Sequence, residues 1–145
     1  MSRSKIVAYS CLVVIIALYI VGAVSHGSLR HEVQTLPLWL PLVLGFRGHQ
    51  LAKWFALPCL VFWAMIMSFI WLFLIGWAHI VSGHFSTTER AMTIIIGVAC
   101  TVGTVTAVRW RTTVTWSAAL GCMTLSLALQ FAAFRLSLLP NIATQ

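Results

Sequence analysis

The sequence predicts an all-α fold: a polytopic integral membrane protein with four transmembrane helices and an interfacial or re-entrant segment between the first and second. Three observations carry this reading. Of 145 residues, 61% are hydrophobic and only 8% are charged, against about a quarter charged in soluble domains. Four apolar stretches, residues 6–24, 57–81, 88–108 and 114–138, hold about 19 to 25 residues each, and a helix needs ~20 to cross a ~30 Å hydrocarbon core. Basic side chains flank these stretches, and seven tryptophans add rings that favour the headgroup boundary. Helices are expected because each satisfies its own backbone hydrogen bonds in lipid. One domain, residues 1–145, accounts for the chain.

The first stretch follows Arg3 and Lys5 and precedes the small residues Ala23 and Ser25, a pattern shared with cleaved signal peptides. Its apolar run exceeds the ~7–15 residues of such a peptide's core, so a retained signal-anchor helix is expected. Next comes "LRHEVQTLPLWLPLVLGFRG", residues 29–48. Its apolar part, 36–46, reaches only ~16 Å as helix, and Pro37 and Pro41 break a regular one. Trp39 suits an interface, and Arg30, Glu32 and Arg47 tether both ends to one surface. An interfacial or shallow re-entrant element over residues 29–56 is expected, covering one end of the bundle.

In the second span, Phe55, Phe62, Trp63, Phe69, Trp71, Phe73 and Trp77 surround the helix axis, which reads as part lipid-facing and part core. Pro58 falls in or before its first turn. Ser86 and Glu89 form a capping box at the start of the third span. Thr112 or Thr113 caps the fourth, and Pro140 stops it. The five-residue connection "RWRTT" makes spans three and four an expected antiparallel hairpin. Ala99, Gly103 and Ala107 would pack against Ser117, Gly121, Thr124, Ala128 and Ala132, since small residues let helices approach in lipid.

Nine basic residues oppose only Glu32 and Glu89, a net charge of +7. On a chain this apolar the excess reads as topology signals and contacts with anionic headgroups, not as a nucleic-acid surface. With four spans, Arg3, Lys5, Arg90 and Arg135 fall on one face and Arg30, Arg47, Lys53, Arg109 and Arg111 on the other. That near-balance leaves the first helix to decide, and both termini are expected in the cytoplasm of a bacterium, with the chain in its inner membrane.

No catalytic constellation emerges. Cys11, Cys59, Cys100 and Cys122 sit one per span among apolar neighbours, unlike the surface pairs of thiol oxidoreductases. Of the five histidines, His26, His31 and His49 lie on one expected face and His79 and His84 on the other. His26, His31, Glu32 and His49 match no tight metal-ligand spacing. No carboxylate lies inside a span, as proton-coupled transport would require. Gln130 is suited to bonding across helices, and the hydroxyls of Thr93, Thr101, Thr104 and Thr106 to bonding back to the preceding turn.

The expected function is therefore an accessory or scaffolding subunit of a larger membrane assembly, in contact with the bilayer and with other subunits or copies of itself. Its docking face would combine Arg30, His31, Glu32, Trp39, Arg47, Lys53, Arg109 and Arg111. The alternatives are a small oligomeric transporter or channel, and a redox protein holding haem, quinone or a pigment.

Overall fold

The computed structural model describes residues 1–25, 27–77, 85–139 and 142. His26, His79, His84, Pro140 and the expected end of the second span at residue 81 lie outside them. Among the described residues five helices follow one another: α1 Arg3–Val24, α2 Ser28–Phe46, α3 Leu51–Leu74, α4 Thr87–Arg109 and α5 Trp116–Ser137. The described residues contain no strand. All but α2 are long and apolar enough to cross a membrane.

The largest departure from expectation is α2, a continuous helix that packs along the side of α1. Its 19 residues extend ~28 Å and lie antiparallel along α1. A Cβ on Gly45, near its end, would meet Ala8 Cβ at 2.9 Å and the Ser4 carbonyl at 3.0 Å. Phe46 meets Tyr9 edge-on at 5.1 Å, and near the other end Thr35 Oγ1 lies 3.3 Å from the Tyr19 hydroxyl. Pro37 and Pro41 are inside the helix, because each removes one backbone donor without ending a helix whose neighbours hold it. Polar residues ahead of the apolar run are helical too, and two of them find partners: Gln34 Nε2 donates to Ser137 Oγ at 2.9 Å and Thr35 Oγ1 to the Glu32 carbonyl at 2.8 Å.

Helix ends obey local rules. Ser86 Oγ accepts from the Glu89 N–H at 3.2 Å and Glu89 Oε2 from the Ser86 N–H at 2.7 Å, the capping box expected for α4. The C-termini of α2 and α3 close through Gly48 (φ 72°) and Gly76 (φ 79°). At each, paired bonds return to the last turn: His49 to Leu44 and Gly48 to Gly45, Trp77 to Leu72 and Gly76 to Phe73. This glycine-closed end terminates α3 at Leu74, short of its expected limit, while its start lies six residues earlier than 57. Thr115 precedes α5 as N-cap residue, and Thr113 instead donates both its N–H and its hydroxyl to Gln50 Oε1 at 2.9 Å.

Packing also differs from the expected hairpin. No Cα of α4 comes within 8 Å of one in α5, whereas α3 touches all four other helices. Ala99, Gly103 and Ala107 are buried as anticipated, but Gly103 faces Ser10 of α1 and Leu60 of α3. Ser117, Gly121, Thr124, Ala128 and Ala132 are exposed. The buried face of α5 is instead Ala119, Ser126, Gln130, Ala133 and Ser137, set against α2 and α3. Polar side chains fasten it: Ser126 Oγ donates to the Phe55 carbonyl at 2.7 Å and lies 3.2 Å from Cys59 Sγ, and Gln130 Nε2 donates to the Gln34 carbonyl at 3.3 Å. A six-residue extended connector, 110–115, lets α5 pass to the far side of α3.

With α2 as a full-length member, successive helices alternate in direction, and the start of α1 and the end of α5 lie at opposite ends of the bundle. The first end gathers the starts of α1, α3 and α5 and the ends of α2 and α4. There Arg3 donates to the Arg109 carbonyl, and Lys53 Nζ donates to the Trp110 carbonyl at 2.7 Å. This basic end carries Arg3, Lys5, Arg47, Lys53, Arg109 and Arg111 with no carboxylate. The other, mixed end carries Arg30, Arg90 and Arg135 with Glu32 and Glu89.

Candidate functional site

The expected docking face does not assemble. Arg30, His31 and Glu32 lie at the mixed end, Arg47, Lys53, Arg109 and Arg111 at the basic end. Trp39 sits midway along α2, facing outward. The separation follows from α2, whose length carries residues 29 and 47 to opposite ends. Lys53 is also occupied: it is 8% exposed, caps the end of α4, and lies 4.3 Å from the centre of the Trp54 ring. His49 is likewise remote from His31 and Glu32, and among the described residues no three metal-ligating side chains cluster.

What the mixed end does assemble is a cavity of about 360 Å³ to which every helix contributes. Leu18 and Val21 of α1, with Ser25 beyond, form one wall and Arg30, His31 and Gln34 of α2 the next. Trp63, Ile66, Met67 and Ile70 come from α3, Glu89, Thr93 and Ile96 from α4 with Phe85 ahead of it, and Phe134 from α5. Arg30 and Glu89 stand in the first turns of their helices, whereas Trp63 is midway along α3. From Ile70 to Trp63 the α3 wall descends ~10 Å at 1.5 Å per residue. The cavity therefore has a polar mouth at the bundle end, mostly apolar walls and an indole at its depth.

Most polar groups around it have partners. Gln34 is tied to Ser137, Thr93 Oγ1 donates to the Arg90 carbonyl at 2.7 Å, and Glu89 Oε2 is held by the Ser86 N–H. Three are not: Arg30 Nε, His31 Nδ1 and Trp63 Nε1 are buried without a hydrogen-bond partner. Trp63 is 2% exposed, so its N–H has left water and gained nothing in return. Buried polar atoms without partners are rare in folded proteins and cost ~1–3 kcal/mol each. These three belong to side chains that line the cavity; among the described residues Trp54 Nε1, Thr104 Oγ1 and Gln130 Oε1 are also without partners.

Sequence reasoning named Arg30 and His31 but placed them on a partner-docking loop. It treated Trp63 as packing and Glu89 only as a cap, a role Glu89 does fill. One signal was available: Arg30 and Gln34 are four residues apart and share a helix face, which an interfacial reading of the segment obscured. The threonines of α4 behave partly as expected, Thr101 Oγ1 donating back to the Gly97 carbonyl at 2.8 Å.

Two shallower furrows flank α3. One, about 470 Å³, runs against α4 past Ala64, Ser68, Trp71, Gly97 and Thr101. The other, about 440 Å³, runs against α5 past Val61, Phe62, Met65, Met123 and Leu127. Comparison with known proteins finds no family model, no curated relative and no solved structure that matches this chain.

Proposed function

We propose that this chain is an integral membrane protein that binds a small amphiphile in the cavity at its mixed end. The observation that carries the reading is the cavity itself, apolar along Leu18, Ile66, Ile70 and Ile96 and lined by Arg30, His31 and Glu89 at its mouth. Small-molecule sites combine apolar walls with few polar groups in ~300–1,000 Å³. An amphiphile suits a polar mouth above an apolar interior. Purification in mild detergent followed by organic extraction and mass spectrometry tests the reading. A retained amphiphile near one per chain, depleted from the Trp63→Ala variant, is expected. A chain that retains none, and whose thermal unfolding responds to no amphiphile in a broad panel, would sink it.

All five helices cross the bilayer in this proposal, with the basic end in the cytoplasm. Six cations and no carboxylate at one end, against three cations and two carboxylates at the other, match the positive-inside bias. The N-terminus is then inside, the C-terminus outside, and the cavity opens toward the outer leaflet. A C-terminal phosphatase fusion should be active and a C-terminal fluorescent fusion dark, and the reverse pattern refutes this orientation.

The accessory-subunit reading is retained as a second proposal on a different observation, the furrows on both sides of α3 left by the separation of α4 and α5. Cross-linking from Val61 or Ser68 in native membranes should then trap one reproducible protein partner; lipid adducts alone would remove its support.

A further inference from the structure

We infer that the cavity selects an amphiphile whose head is an oxyanion, a carboxylate or a phosphate, seated against Arg30. The inference rests on the amphiphile-binding reading above and adds the chemistry of the head. Three features of the mouth have the same electrostatic sign. Arg30 lines the cavity, and a guanidinium is the side chain best shaped for planar oxyanions. Arg30 stands in the first turn of α2, whose N-cap, Gly27, has no side chain to satisfy the amides there. The N-terminus of α4 opens at the same end, so two helix dipoles present their positive ends to the mouth. The one carboxylate lining the cavity is Glu89, and one of its oxygens is already bound by the Ser86 N–H in the capping box that its own helix requires.

Arg30 and Glu89 balance in formal charge, so the excess at the mouth is the positive ends of the two helix dipoles, and an anion beside Arg30 answers it. A cation there would oppose both dipoles and Arg30. A neutral hydroxyl could meet one donor but would leave the two helix N-termini unanswered. Below the head, Ile66, Met67, Ile70 and Ile96 offer a wall suited to methylenes and no charged group, so the tail points toward Trp63 and the head toward the bundle end.

The test uses the full-length protein in a nonionic detergent and four ligands with the same ten-carbon tail: decanoate, decyl phosphate, decanol and decyltrimethylammonium. Binding is read by quenching of tryptophan fluorescence with brominated analogues and by the shift in unfolding temperature. Decanoate or decyl phosphate should bind about tenfold or more tighter than decanol, the factor expected of one hydrogen bond to a charged group. Whichever anion is preferred distinguishes a fatty-acid source from a phospholipid one. In Arg30→Gln the preference should vanish, anion binding falling to within about twofold of decanol binding by the same variant. Equal binding of decanol and the anions, or preference for the ammonium head, overturns the oxyanion assignment and leaves the amphiphile reading standing. Binding of none of the four overturns both. If Arg30→Gln does not fold, the comparison of heads on the unaltered chain, repeated in Arg30→Lys, still decides: the anion preference should persist in Arg30→Lys, and its absence from the unaltered chain refutes the inference.

Discussion

Replacing Gly103 by alanine adds one methyl where α1, α3 and α4 meet, and its consequence separates the observed packing from the hairpin the sequence suggests. The new Cβ would lie 2.7 Å from Leu60 Cδ1 and 2.8 Å from Ser10 Cβ, about 1 Å inside the ~3.5–4.0 Å of normal carbon contact. Leu60 is fully buried and has little room to turn. Ser10 Cβ is fixed to the backbone of α1, so relief requires α1 and α4 to separate. Overpacking of this kind costs ~1–3 kcal/mol, offset by up to ~1 kcal/mol of helix propensity gained over glycine, leaving a net loss of about 1–2 kcal/mol. Gly121→Ala is the control, because a Cβ there meets nothing within 4 Å; it should be neutral or stabilising by at most ~1 kcal/mol. Both are measured by reversible unfolding in mixed micelles, with Ser10→Gly added to Gly103→Ala as a double-mutant cycle. Coupling of at least ~0.5 kcal/mol between positions 10 and 103 is expected. A Gly121→Ala loss as large as that of Gly103→Ala would mean that α4 packs on α5 after all, and the reasoning would fail.

Ser126→Ala removes a buried hydroxyl that links α5 to the Phe55 carbonyl and should cost ~0.6 kcal/mol, at most ~1.7, in the same unfolding assay. Ser137→Ala deprives the Gln34 amide of its acceptor and should cost at least as much, because a buried donor is left behind; proteolysis at the end of α5 should accelerate with it. Ser86→Ala breaks the capping box and should lower stability by ~1 kcal/mol, while Ser86→Asp should recover most of it. Of the four cysteines, Cys122 alone is partly exposed, so a membrane-permeant maleimide should label it before Cys11, Cys59 and Cys100 in the folded protein, and equal rates would contradict the core described above.

The span-forming helices were legible because length and apolarity are local properties: α1, α4 and α5 lie within about three residues of their expected limits, and the α4 capping box is a four-residue pattern. Partners were not legible. The stripe Ala99, Gly103, Ala107 announces close packing, but a stripe has no label for what it meets, and a short connector suggested α5. Six extended residues can still carry the chain across α3. The α5 stripe failed differently: Ser117, Gly121 and Thr124 are small and regularly spaced, yet the face that buries carries Ser126, Gln130 and Ser137, whose hydrogen bonds reach residues 34 and 55. Such bonds join positions roughly 70 to 100 residues apart, a distance at which periodicity is silent. The cavity was hidden for the same reason, since its walls come from five separate stretches of chain.

Most of these differences descend from α2, and its side-chain distribution bears on the proposed fifth crossing. Leu36, Trp39, Leu40, Val43 and Phe46 face outward, while Gln34, Thr35, Pro41 and Gly45 face inward with Leu38 and Leu42. In water this arrangement would expose large apolar groups and bury polar ones. In hydrocarbon it is favourable, because apolar side chains meet lipid and polar ones bond across helices. Averaged hydropathy misses such a helix, because Arg30, His31, Glu32 and Gln34 dilute the apolar half even though they cluster at one end or turn inward. Counting α2 as a crossing also reverses the side assigned to every residue after it, which turns four cations against five into six against three. The proposed crossing therefore also delivers Arg30 and His31 to the mouth of the cavity, so the proposed topology and the proposed binding stand on the same helix.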